Sequence, residues 1–124
     1  MPGLIIHLIA GSAIYLIGRY SFRKFFDGPQ KNKERSLLLF ICLVFSIIPD
    51  AFLGIYYATN LLSFKTLLPY HVATHLIITP IAIIFFLLLM IIDSKRKPIW
   101  LFGICTITLH IIMDQFIREH GFLF

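Results

Sequence analysis

Charged side chains are scarce in this chain: Lys, Arg, Asp and Glu make up 14% of its 124 residues, while 59% are hydrophobic. A soluble domain carries about 25% charged residues and is about half apolar. Together with a mean hydropathy of +0.90, this scarcity excludes an ordinary water-soluble fold and points to an integral membrane protein of one domain. Cysteine is nearly absent as well. Cys42 and Cys105 lie inside apolar runs and neither belongs to a CxxC pair, which argues against a thiolate metal site and against a disulfide. The chain has no convincing internal repeat and no low-complexity segment, so neither a solenoid nor a disordered arm is expected.

The formal net charge of +5 raises the question of nucleic acid, which would need a basic stripe on a water-facing surface. Nine of the eleven Lys and Arg instead fall in two short segments. The first holds Arg19, Arg23, Lys24, Lys31, Lys33 and Arg35 around an Asp27-Gly28-Pro29 turn; the second is Lys95-Arg96-Lys97. Topology accounts for that pattern, and no nucleic-acid partner is expected. The positive-inside rule places both segments in the cytoplasm, with both termini and the 51–69 connection on the outer side. The first apolar run has no basic residue before Leu4 and several after it. A cleaved signal has the reverse arrangement, so the run is expected to be a transmembrane helix. The expected fold is all-α: a polytopic four-transmembrane-helix bundle whose partner is the lipid bilayer. Its spans are about 3–18, 37–57 with a kink at Pro49, 71–92 and 99–117.

The few polar residues inside those spans carry the functional signal. His7 lies near one face with Gly3, Gly11 and Gly18, a small-residue stripe that lets helices approach closely. Asp50 follows Pro49 at a helix break, where a carboxylate can face a polar cavity. The 51–69 stretch reads as an extension of the kinked helix and then an interfacial loop, with Tyr56 and Tyr57 at headgroup level. His71 and His75, four apart, point the same way on a helix. Gly103, Thr106, His110 and Asp114 share a face of the last span. At about 1.5 Å per residue, His7, Asp50, His75, His110 and Asp114 lie roughly 16–26 Å from the cytoplasmic ends of their helices, and His71 roughly 31 Å.

Imidazoles and carboxylates from four helices at a similar depth form a ligand set for a divalent ion, with zinc the first choice and one or two ions. Burying such groups unpaired is costly, at about 2.5–3.5 kcal/mol for a single central Asp. His7, His75, His110 and Asp114 are first choices as metal ligands. Asp50 is a candidate bridging ligand or general base, and His71 a further ligand or a contact to the leaving group, which makes both of them catalytic candidates. The expected function is a membrane-embedded metal-dependent hydrolase, cleaving a phosphoester or ester of a lipid or other substrate at the outer leaflet through metal-activated water. Two alternatives belong to other classes. One is a cation or proton transport unit, which would need polar steps through a cytoplasmic half that offers chiefly Cys42, Ser46, Thr106 and Thr108. The other is a structural membrane protein with a polar core and no turnover.

An N-terminal histidine, a Pro-Asp ending an apolar run, a His-rich motif closing in Thr-His, and a late His-x-x-x-Asp occur here in that order. They are His7, Pro49-Asp50, His71 to His75 with Thr74 before the last histidine, and His110 to Asp114. This arrangement resembles the membrane-bound metal-dependent hydrolases of the YdjM type across nearly the whole chain. The resemblance implies an inner-membrane hydrolase, often likened to zinc phospholipases. The chain departs from that pattern at Phe52, where members commonly carry a second Asp, and at Leu76, where they carry Ser. Its two motif histidines are also four rather than five residues apart.

Overall fold

The computed structural model describes residues 3–59 and 63–116. The expected end of the last span at Ile117 and the tail beyond it lie outside the described residues. Among the described residues the ordered structure is entirely helical. α1 (Leu4–Ser21) is followed by the short α2 (Arg23–Phe26), α3 (Asn32–Phe45), a 3-10 turn (Ile48–Asp50), α4 (Ala51–Thr59) and α5 (Phe64–Ala73). A wide π turn (Thr74–Ile78) leads into α6 (Thr79–Ile92), and a second 3-10 turn (Ser94–Arg96) into α7 (Lys97–Phe116). Four continuous stretches are long and apolar enough to cross a bilayer: Leu4–Ser21, Asn32–Tyr56, Phe64–Ile92 and Ser94–Phe116. The all-α bundle of four such helices is the architecture of a multi-pass membrane protein.

Each break in the helices has a local cause. Pro49 has no N–H to give, so the chain tightens after α3 into 3-10 geometry, with Ile47 N–H bonding to Val44 O at 3.1 Å and Asp50 N–H to Ile47 O at 2.9 Å. Pro80, the second residue of α6, likewise brings no N–H. The turn before it widens, and Thr79 N–H reaches back five residues to the Thr74 carbonyl. The loop expected just before His71 is instead helical. Ser63 caps α5 by accepting the Thr66 N–H at 3.2 Å, and the helix runs through Pro69 at the loss of one backbone bond. The third apolar helix therefore starts at Phe64 rather than at residue 71, and His71 lies well inside it.

α7 is the axis of the bundle and packs against α1, α3 and α6. Its close approaches depend on missing side chains. A Cβ on Gly103 would meet the Phe86 ring at 2.9 Å, and one on Gly11 would meet the Cys42 carbonyl oxygen at 2.6 Å and Ser46 Oγ at 2.8 Å. In lipid, where apolar burial gives little drive, such backbone contact is what holds helices together. The end of the bundle that carries the two basic segments is filled by Phe26, Leu38, Phe86, Ile99, Phe102 and Ile107. The opposite half holds His7, Asp50, His71, His75, His110 and Asp114. Outward-facing side chains such as Leu76, Ile91 and Ile92 are exposed and apolar, as suits hydrocarbon.

Candidate metal centre

Five of the six polar side chains converge by way of helix geometry alone. His7 projects from α1 at the level of the α3 break. His110 and Asp114, four residues apart, share one face of α7, and His71 and His75 share one face of the α5 to α6 helix. Asp50 sits on the turn that Pro49 creates, so its carboxylate points across the bundle rather than along a helix surface.

The contacts are dense. His7 Nε2 lies 3.0 Å from Asp50 Oδ2 and 3.6 Å from Asp114 Oδ1. His110 Nε2 is 3.1 Å from Asp114 Oδ2 and 3.8 Å from Asp50 Oδ2. His75 Nε2 is 3.3 Å from Asp50 Oδ1 and 3.4 Å from Asp114 Oδ2, and His71 Nδ1 is 3.6 Å from Asp50 Oδ1. The rings gather in stacks, with centroids 4.3 Å apart for His7 and His110 and 5.3 Å for His75 and His110. The structure thus brings together all six residues singled out from the sequence, His71 among them.

The two His75 separations, 3.3 and 3.4 Å, match the edges of a coordination shell, while His7–Asp50 at 3.0 Å and His110–Asp114 at 3.1 Å lie at hydrogen-bond length. A tetrahedral ion with bonds of about 2.0–2.1 Å holds its ligand atoms about 3.3–3.4 Å apart, whereas N–H···O bonds centre near about 2.9–3.0 Å. His7 Nε2, His110 Nε2, both oxygens of Asp114 and both ring nitrogens of His71 are buried without a hydrogen-bond partner. Buried polar atoms in folded proteins are nearly always satisfied, and a divalent ion satisfies several at once. Two overlapping groups have ligand atoms within 4.8 Å of one another: His7, Asp50, His110 and Asp114, and Asp50, His71 and His75. A His/Asp group that could hold a metal ion is therefore built into the bundle.

The donor set is also oriented. His110 Nδ1 donates to the Ser46 carbonyl oxygen at 2.9 Å, which leaves the Nε2 lone pair facing Asp114 and Asp50. Metal-binding histidines are fixed in this way by a bond from their other nitrogen. The Ser46 carbonyl is free to accept because of Pro49. In a continuous helix it would take the Asp50 N–H, but that N–H is turned to Ile47 O. The Ser46 carbonyl is the part of the site that residue type alone did not reveal. Its sequence signal was available: a proline three residues on removes one donor from that carbonyl and diverts the next. Pro49→Ala should let Asp50 N–H reclaim the carbonyl and free the His110 ring. Metal affinity, measured by chelator competition, should then fall about 10–100-fold; unchanged affinity would contradict it.

No family model, no curated protein and no solved structure matches this chain.

Proposed function

We propose that this protein is a membrane-embedded metal-dependent hydrolase of a phosphoester or ester, with zinc as its ion and two ions flanking Asp50. One observation carries the reading: Asp50 divides its oxygens, Oδ2 toward His7 and His110 and Oδ1 toward His71 and His75. Asp114 closes the first group through both of its oxygens, and its Oδ2 also lies 3.4 Å from His75 of the second. When bound, such a pair of ions supplies Lewis-acid polarisation and draws a nucleophile from water at neutral pH. The residues hold and orient. His7, His110 and His71 are at most 2% exposed and suit fixed ligands, whereas His75 is 19% exposed and faces the substrate side. The motif order resembling YdjM-type hydrolases supports the same reading. The same resemblance implies an inner-membrane location, and the positive-inside rule puts both termini and the site on the outer side.

Transport fits less well. A relay needs polar groups through the full thickness, and the basic half of the bundle is filled by an apolar core around Phe26, Leu38, Phe86 and Ile107.

Two measurements test the reading. Zinc-loaded protein should hydrolyse a soluble aryl phosphate, lose that activity to a chelator and regain it with zinc; turnover indifferent to the chelator would contradict it. His71→Ala should lower bound zinc from about two ions per chain to about one, since it touches only one of the two groups. A complete loss, or none, would contradict the division at Asp50.

A further inference from the structure

A cavity of about 360 Å³ opens on the side of the bundle between α5 with its π turn and α7, lined by Leu68, His71, Val72, His75, Leu76, Ile111, Asp114 and Gln115. This volume falls at the lower end of ligand pockets, about 300–1,000 Å³. It is amphipathic along its length. One wall is apolar and faces outward: Leu68 is 40%, Val72 45% and Leu76 71% exposed. The other wall is His71, His75 and Asp114, residues already placed in the metal centre. On the α1 side, by contrast, the space bounded by His7, Gly11, Ser46 and His110 has no room for a water-sized probe. His75, the most exposed of the site histidines, sits on the open side, in the wide turn before Pro80. Wide turns of this kind recur at functional sites.

Depth says what the opening faces. Phe64–Ile92 has 29 residues, about 43 Å at 1.5 Å per residue, which matches the roughly 40–45 Å of a bilayer with its headgroups. His71 and His75 lie about 10 and 16 Å from the Phe64 end, just inside the boundary of a hydrocarbon core of about 30 Å. An opening at that level, rimmed by exposed leucine and valine, faces the acyl region and not water.

We infer that the site is loaded sideways from the bilayer by a phosphate-bearing lipid. One chain runs along Leu68, Val72, Leu76 and Ile111, and the phosphate turns toward His75 and Asp114. The inference rests on the two-ion reading above. Two divalent ions outweigh the charge of Asp50 and Asp114, which leaves the centre cationic and selects an anionic phosphate over a neutral ester. Gln115, exposed at the mouth, offers an amide to the headgroup.

The test uses cobalt(II)-loaded protein in maltoside micelles, which contain no phosphate, and reads the visible cobalt bands during titration with decylphosphonate or methylphosphonate. Val72→Trp fills the apolar wall without replacing a metal ligand. It should raise the decylphosphonate concentration needed for half the spectral change by at least about tenfold, and leave the methylphosphonate titration where it is. Ile84→Trp, an exposed position on the same helix away from the cleft, should titrate like the unmodified protein. Enrichment of the long chain in micelles acts on every variant alike, so the difference isolates the cleft. Leu76→Trp, one turn further along the same wall, repeats the test should Val72→Trp fail to take up cobalt. Equal decylphosphonate titrations for the tryptophan variants and the unmodified protein overturn lateral entry while the metal reading stands. Protein that takes up no cobalt at all overturns both.

Discussion

Asp50→Asn should leave a folded bundle that binds zinc at least about 100-fold more weakly than the unmodified protein. The substitution keeps the shape of the side chain and removes its charge. It also replaces one of the two oxygens with an amide that donates where four imidazoles offer lone pairs. Both ligand groups include this residue, so both positions fail together, unlike the partial loss expected for His71→Ala. Stability should move the other way in the absence of metal. A buried carboxylate in a bilayer costs about 2.5–3.5 kcal/mol on the insertion scale, so the zinc-free variant should melt no lower than the zinc-free parent. Zinc should then raise the melting temperature of the parent alone, since a ligand at about 1,000 times its Kd adds about 4 kcal/mol to the state that binds it. A variant still stabilised by zinc would show that Asp50 is not shared between the ions.

Gly11→Leu is expected to be the most damaging substitution outside the ligands. The first carbon alone would lie 2.6 Å from the Cys42 carbonyl oxygen, and that atom belongs to the α3 backbone, which has no rotamer to change. Even overpacking by small increments in a tight core costs about 1–3 kcal/mol. A full leucine must push α1 away from α3 and carry His7, one turn earlier on the same face, away from Asp50. Lower thermal stability and lower zinc content should therefore appear together. Gly54→Ala is the contrast: nothing lies within 4 Å of a Cβ there, and replacing a helical glycine adds about 0.5–1 kcal/mol. Equal behaviour of the two variants in melting and metal assays would contradict the role given to the Gly11 contact.

Much of this arrangement is legible in the sequence because the bilayer leaves few choices. Apolar length gives the four helices, and an imidazole or carboxylate inside an apolar run is costly unless it meets a partner, so His7, Asp50, His75, His110 and Asp114, at similar depth, are expected to meet. Depth fails for His71. Counting from the far end of its helix places it roughly 31 Å away, beyond the others, yet it comes within 3.6 Å of Asp50. A count along one axis does not register that Asp50 leaves the helix line at Pro49, or that the helix bearing His71 begins at Phe64. Pro69 does not stop the helix that carries His71. The Ser63 cap, with Thr66 three residues on, outweighed it and started a helix where a loop was expected. The Ser46 carbonyl is harder still to see from residue type, because what it contributes is a backbone group set free by a neighbour.

The metal content of the intact protein tests the centre most directly. Protein purified without chelator, equilibrated with zinc and freed of excess metal should carry about two zinc ions per chain by element-resolved mass spectrometry. Folded protein that carries essentially none under those conditions would mean that these imidazoles and carboxylates pair only with one another, and the proposed hydrolase would lose its basis.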